Sequence, residues 1–393
     1  MRVIPAVMPT YARADLMFER GHGAYLVDTN GEEYLDFCSG VAVTGLGHAH
    51  PHLVEALTAQ INKVWHTSNL FRIEGQERLA ARLVAATFAD TVFFCNSGAE
   101  AIECTVKVAR KFQSANGRPE RYRILTFAGA FHGRTLATLA AGRQEKHLKG
   151  FGPVVEGFDQ VAWGDAAAAR QAIGPETAAI LVEPVQGEGG VHLPPDRFLA
   201  DLRTLADQNG LLLLYDEVQT GMGRCGHLFA YQHFGVAPDV LAVAKGLGGG
   251  FPIGACLATE TAAVGMTAGS HGSTFGGNPL AVAAANAVLD VMLAEGFFAH
   301  VRAMNALLLK RLGEVARRYQ GVIAEVRGLG LLVGIKCVGA NGDLAEALRR
   351  RHVLTALAGD NVVRFLPPLI VVESHIDQAI AALDGACAEL AKV

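Results

Sequence analysis

The sequence is poor in charge. Lys, Arg, Asp and Glu make up 18% of its 393 residues, against about 25% in ordinary soluble domains. The two signs nearly cancel, 34 Lys and Arg against 38 Asp and Glu for a formal charge of −4, so there is no basic excess to coat nucleic acid or an anionic membrane. Long apolar runs are missing too. The strongest, Leu211-Leu212-Leu213-Leu214, falls far short of the about 20 residues that span a bilayer. The opening stretch Met1-Arg2-Val3-Ile4-Pro5 contains no apolar run of the signal-peptide kind. Cysteines are few and scattered: Cys38, Cys95, Cys104, Cys225, Cys256, Cys337 and Cys387 are odd in number and never spaced as a CxxC pair. That pattern argues against a disulfide framework or a zinc site and for reduced thiols, so a cytoplasmic protein is expected. Glycine, by contrast, is abundant, with 45 residues and no collagen-like period. A hydrophobic share of 51% excludes disorder, and a small charged share points to a large compact fold or an oligomer that buries much of its exterior.

Periodicity gives the organisation. Ala24–Asp28 and Glu33–Phe37 alternate in polarity around Thr29-Asn30-Gly31, the pattern of a β-hairpin. Further on, Val92–Cys95, Arg123–Phe127, Ile180–Glu183, Leu211–Asp216 and Val240–Ala244 are short apolar runs separated by helical stretches. Runs of this kind are strands buried on both faces, which predicts a mostly parallel sheet covered by helices. From Pro279 an Ala-rich helix is expected, then a second around Arg302–Arg318, then strands at Val322–Arg327, Leu331–Lys336 and Val362–Phe365 and a terminal helix. The fold class is α/β. A large domain over residues 61–290 is expected beside a smaller α+β domain built from both chain ends, residues 1–60 and 291–393.

In open parallel sheets, ligands sit outside the carboxyl ends of the strands. Val92–Cys95 is followed by Asn96-Ser97-Gly98-Ala99-Glu100 and a helix, where small residues could present free amides to a phosphate; an ordinary Ser N-cap is the plainer alternative. Leu211–Tyr215 runs into Asp216, a buried carboxylate that needs a cationic partner, either a protonated pyridine nitrogen or a structural Arg or Lys. Val240–Ala244 runs into Lys245 and Gly246-Leu247-Gly248-Gly249-Gly250. A lysine at a buried strand end loses its proton more easily and can become a Schiff-base nucleophile, though it could also simply leave the sheet for solvent. Taken together these are the parts that hold pyridoxal phosphate: an amine for the aldehyde, an acid for the ring nitrogen, donors for the phosphate.

Two other patterns carry less. Gly221-Met222-Gly223-Arg224-Cys225-Gly226 matches the dinucleotide fingerprint by letter, but the next strand ends in a lysine rather than a ribose-binding acid. His48, His50 and His52 alternate without a nearby Cys or carboxylate cluster and read as a polar loop, so no metal is expected.

With these residues in place, the chain resembles the class III, fold-type I pyridoxal-phosphate aminotransferases along essentially its whole length. The resemblance rests on several motifs in order: Gly40 to His48, Asn96-Ser97-Gly98-Ala99-Glu100-Ala101, Phe131-His132-Gly133-Arg134-Thr135, Glu183 to Gly190, Asp216 to Arg224, Ala244 to Pro252, and His271 to Pro279. It implies Lys245 as the cofactor-bearing lysine and later proton shuttle, and Asp216 as the partner of the ring nitrogen. Phe131 and Val218 are expected on the two ring faces and Gln219 at the phenolic oxygen. Ser97, Gly98 and Ala99 are expected at the phosphate, joined by Thr274 from a second subunit. The family is therefore expected as a homodimer with shared active sites. Arg134 is the expected clamp for a substrate carboxylate and Ser273 a further substrate contact. Arg364 is expected to take the glutamate α-carboxylate, with Glu183 pairing with it when the other substrate is bound, either as a switch or as a fixed salt bridge.

Ornithine aminotransferases usually carry a tyrosine in the loop that here reads Gly40-Val41-Ala42. Small residues leave room for an acylated nitrogen, so the resemblance implies N2-acetyl-L-ornithine as donor and 2-oxoglutarate as acceptor. Succinylornithine, ornithine and 4-aminobutyrate are the alternatives within the family. An aminomutase or decarboxylase on the same fold, and a non-enzymatic nucleotide-binding protein, are the readings outside it.

Overall fold

The structure, a computed structural model, describes residues 4–392. The N-terminal alternating segments form three antiparallel strands, β1 (Phe18–His22), β2 (Tyr25–Asp28) and β3 (Glu33–Asp36). The central strands are β4 (Thr91–Cys95), β5 (Arg123–Phe127), β6 (Phe158–Val161), β7 (Thr177–Val182), β8 (Leu212–Asp216), β9 (Val240–Val243) and β10 (Gly254–Ala258). They make one seven-stranded sheet in the order β4-β10-β9-β8-β7-β5-β6. β7, β8, β9 and β10 are buried along their whole length, and apart from Asp216 at the tip of β8 they carry no charged residue. Neighbours from β6 through β9 pair in parallel, whereas β10 runs antiparallel to both β9 and β4. That reversal brings the start of β10, rather than its end, to the edge where the other strands finish.

Gly98–Ala115 is an amphipathic helix whose apolar stripe (Ala101, Ile102, Thr105, Val108, Ala109) is buried, packed against β9 and β10. The helix over Pro279–Met292 begins with Asn278 as N-cap and a proline in its first turn, and is buried along most of its length. Gly296, at φ 84°, then turns the chain into the helix Phe297–Arg318. Among the described residues, no single helix is long and apolar enough to cross a membrane.

The remaining strands are β11 (Ile323–Leu329), β12 (Leu332–Cys337), β13 (Val353–Leu354), β14 (Ala356–Ala358) and β15 (Val362–Phe365). β11, β12, β15 and β14 form an antiparallel sheet in that order. β13 leaves it to pair in parallel with β3, which joins the C-terminal part of the chain to its N-terminal strands. The terminal helix Glu373–Leu390 packs on Phe297–Arg318. Arg364 thus lies inside a sheet, opposite Gly334 and Ala356.

Candidate active site

A cavity of about 440 Å³ opens at the carboxyl edge of the central sheet. Asn96, Ser97, Gly98 and Ala99 line it after β4, Phe131 and Arg134 after β5, Glu183 after β7, Asp216, Val218 and Gln219 after β8, and Lys245 with Gly250–Ile253 after β9. Of the residues singled out from the sequence, Arg364, Ser273, Thr274 and the Gly40-Val41-Ala42 turn do not line it, although Val43 just after that turn does.

Lys245 opens a short 3₁₀ turn with φ 46°, a left-handed conformation that costs a non-glycine residue about 1–2 kcal/mol. The strain is held in place by the strand before it and the glycines after it. Burial pushes its ammonium below the ordinary lysine value, with Glu188, Asp216 and Glu183 pulling the other way.

Asp216 ends β8 only 4% exposed. Its Oδ2 accepts from Nδ1 of His132 at 2.8 Å and its Oδ1 from the Val218 amide at 3.0 Å. Each carboxylate oxygen keeps a further lone pair for a donor in the cavity. His132 is itself buried, and its Nε2 has no hydrogen-bond partner among the described residues.

Gly98 and Ala99 begin the helix after β4, where the first amides of a helix have no intrahelical acceptor. A Cβ on Gly98 would stand 2.7 Å from Val218 Cγ1, so only glycine lets this turn close on the valine. Ser97 lines the cavity with its side chain engaged as the helix N-cap. Its hydroxyl accepts from the Glu100 amide and donates to the Glu100 carboxylate, so that hydrogen is not free for a phosphate. The N-cap alternative describes this side chain, while its neighbours supply the amides.

Arg134 is exposed at the mouth, stacked over Phe131 at 5.6 Å, with His147 Nε2 at 3.3 Å and no acidic partner among the described residues. Ser273 Oγ accepts from Asn96 Nδ2 at 3.2 Å and from the Gly276 amide at 3.0 Å. Thr274 is exposed.

The expected Glu183–Arg364 pair is not formed. Arg364, 2% exposed, donates from Nη1 to Glu188 Oε1 at 2.7 Å and to Gln219 Oε1 at 2.8 Å, and from Nη2 to the Leu357 carbonyl at 2.8 Å. Glu183 sits at the tip of β7 and takes the Phe131 amide at 3.2 Å. Burial, then the charge of Asp216, push its carboxyl well above the ordinary glutamate value. Glu188 lies past the turn, where Gly187 has no Cβ to run into the Gln219 amide, and so reaches the arginine. Burial pulls Glu188 up as well, but Arg364, Lys245 and Gln219 outweigh it and leave the carboxyl below its ordinary value. Gln219 is committed in the same cluster, with Nε2 donating to Glu188 at 3.3 Å. His132 and Glu188 are the residues that sequence reasoning left without a role.

The histidine loop is structural. His48 pairs with the buried Asp36 at 2.8 Å and His52 with Asp290 at 2.9 Å.

A lysine, a carboxylate and helix-start amides converging where parallel strands end define a fold-type I pyridoxal-phosphate enzyme. The chain belongs to the class-III aminotransferases, whose family model matches residues 7–387. It is 61% identical over 386 residues to acetylornithine aminotransferase 1 of Bradyrhizobium diazoefficiens, covering 98% of this chain and 95% of that one. It is 58% identical over 381 residues to the acetylornithine aminotransferase of Agrobacterium fabrum, covering 97% and 96%. Among solved structures, the ornithine aminotransferase of Toxoplasma gondii superposes with a TM-score of 0.95 at 31% identity, covering 98% and 93%. The N-acetylornithine aminotransferase of Stenotrophomonas maltophilia superposes at 0.85 with 38% identity, covering 97% of each chain. The family cofactor is pyridoxal 5'-phosphate, and the residues present fit it. The cavity holds one lysine, the Asp216 carboxylate retains lone pairs, and Gly98 and Ala99 offer helix-start amides.

Proposed function

We propose that this chain moves the δ-amino group of N2-acetyl-L-ornithine to 2-oxoglutarate, giving N-acetylglutamate 5-semialdehyde and glutamate, a step of arginine biosynthesis. The reading is carried by 58–61% identity, over nearly the whole chain, to relatives named acetylornithine aminotransferase. It is supported by the loop after β3, from which nothing bulkier than Val43 reaches the cavity.

Bound pyridoxal phosphate supplies an electron sink for the charge left when the donor δ-carbon gives up its proton. Lys245, pushed toward its neutral form by burial, takes that proton at Nζ and returns it. Asp216, steadied by His132 and the Val218 amide, keeps the ring nitrogen protonated. Phe131 and Val218 flank the ring, and Gly98 and Ala99 hold the phosphate. Gln219 stays near the phenolic oxygen while tied to Arg364. Arg134, free of acidic partners, takes the donor carboxylate in a planar fork, with Ser273 as a further contact. Arg364 takes the α-carboxylate of glutamate once Glu188 lets go.

The working form is a cytoplasmic homodimer. Thr274 is exposed and outside its own chain's cavity, which suits a residue that completes the partner's site. Exposed Trp65, Leu70, Phe71 and Phe275 supply apolar surface nearby for such an interface. Residues 1–60 and 291–393 form the smaller domain against 61–290, a division supported by the pairing of β13 with β3.

The likeness to an ornithine aminotransferase structure makes ornithine the second reading. A half-reaction screen of the pyridoxal form against acetylornithine, succinylornithine, ornithine and 4-aminobutyrate decides between them. Acetylornithine is expected to react fastest. Equal reaction of ornithine would overturn the role given to the loop after β3.

A further inference from the structure

Beside the amides that face the cavity stands a carboxylate that no step described above uses. Glu100 is the third residue of the helix Gly98–Ala115. Its Oε2 accepts from the Asn96 backbone amide at 2.7 Å and from the Ser97 hydroxyl at 3.1 Å, and its Oε1 from Asn96 Nδ2 at 3.1 Å. Ser97 Oγ in turn accepts from the Glu100 amide at 3.2 Å. In an ordinary capping box the glutamate reaches back to the N-cap amide. Here it reaches one residue further and gathers the backbone amide and one side-chain amide hydrogen of Asn96 together with the hydroxyl of Ser97. The second hydrogen of the Asn96 amide goes to Ser273 Oγ at 3.2 Å, and Asn69 Nδ2 holds the carbonyls of Ser273 and Gly276 at 3.0 Å each. The turn at residues 96–99 is thereby locked on both sides.

Electrostatics alone would keep a carboxylate away from the seat of a phosphate, because like charges repel through a partly buried site. A glutamate there is understandable if its task is geometric. By drawing the Asn96 amide and the Ser97 hydroxyl to itself, it removes the donors that would compete for the phosphate and leaves those of Gly98 and Ala99 aimed at the cavity. It also fixes the φ/ψ of the turn that β4 hands to the helix.

We infer that Glu100 is a positioning residue for the cofactor phosphate. It orients the Gly98–Ala99 amides through the Asn96–Ser97 turn, and this orientation outweighs the repulsion its charge adds. The inference rests on the reading that those two amides seat the phosphate.

The test compares retention of pyridoxal phosphate with that of pyridoxal, which has the aldehyde and ring but no phosphate. Dissociation constants are read from the absorbance of the lysine-bound chromophore in wild type, Glu100→Gln and Glu100→Ala. Glu100→Gln keeps one acceptor and Glu100→Ala none. A graded loss is expected, reaching about tenfold for pyridoxal phosphate in Glu100→Ala, with pyridoxal affinity essentially unchanged. Unchanged or tighter pyridoxal phosphate binding would mean that repulsion dominates and would overturn the inference. Equal weakening of both ligands would make Glu100 a merely structural residue and overturn it too. If Glu100→Ala does not fold, Glu100→Gln and Asn96→Ala carry the same comparison. If wild type itself holds pyridoxal as tightly as pyridoxal phosphate, the phosphate seat rather than Glu100 has been misplaced.

Discussion

Glu188 and Arg364 meet at 2.7 Å, Oε1 to Nη1, with the guanidinium almost wholly out of water. A buried arginine needs a counter-charge, and Glu188 with Gln219 supplies the acceptors before any substrate enters. The pair therefore has two jobs in a two-substrate enzyme. On the proposed function it would neutralise Arg364 while the acyl-amino donor is bound and release the guanidinium to a dicarboxylate.

Removing the counter-charge separates these jobs. Glu188→Gln is expected to slow the acetylornithine half-reaction about tenfold while sparing the glutamate half-reaction, and Arg364→Ala to do the reverse. Single-turnover absorbance changes with each donor measure both. Equal losses in both half-reactions for either variant would show that the pair is a fixed brace.

The His132–Asp216 contact predicts a rate effect without a binding effect. His132→Phe leaves Asp216 Oδ2 without its buried donor, and kcat is expected to fall about 10–100-fold. The KM for acetylornithine should stay nearly unchanged, because His132 makes its polar contact to Asp216. Steady-state kinetics decide it, and an unchanged kcat would remove the histidine from the site.

Lys245 is expected to carry the cofactor alone. Borohydride reduction of the holoenzyme followed by peptide mapping should place a pyridoxyl group on Lys245, and Lys245→Ala should lose the visible chromophore. A label on another lysine would overturn the assignment.

Glu217 predicts a pH dependence of stability. It is buried, accepts from the amides of Ala230 and Tyr231 and from the Thr220 hydroxyl, and burial still pushes its carboxyl up to about 7. In the unfolded chain a glutamate titrates near about 4.3. Between those values the folded chain holds a proton that the unfolded chain has lost, so stability falls as pH rises through the window and levels off above it. The loss is on the order of 4 kcal/mol. Glu217→Gln should flatten the decline of stability between about pH 4 and 7, measured by denaturant unfolding. Parallel profiles for the two proteins would contradict the assignment.

The sequence reveals most of what is buried on both faces. β5 and β15 lie where their apolar runs begin and end, and Asp216 and Lys245 are legible because a charged residue at the end of such a run has to serve something. β10 is not legible. Gly254-Ala255-Cys256-Leu257-Ala258 is small rather than alternating, because β4 crowds it; a Cβ on Gly254 would stand 2.5 Å from the Ser97 carbonyl. β6 escapes notice because Asp159 and Gln160 interrupt an edge strand. The partner of Arg364 is beyond reach for a different reason. Glu183 and Glu188 share one motif, and which of them meets the arginine depends on how the chain turns at Gly187. Ser97 shows the same limit: its position is readable, but not the direction in which its hydroxyl hydrogen points.

The reversed direction of β10 has a consequence for how the enzyme can change. Because β9 ends and β10 begins at the same edge, the segment 244–253 leaves from the floor of the cavity and returns to it. A loop tethered at both ends to the reacting region cannot absorb an insertion by bulging into solvent without shifting Lys245 at one end or the neighbour of Ser97 at the other. Variation in substrate range is therefore expected to come from other segments at the cavity, such as the loop after β3 that places Val43 there. The glycine-rich segment should accept only replacements of equal length.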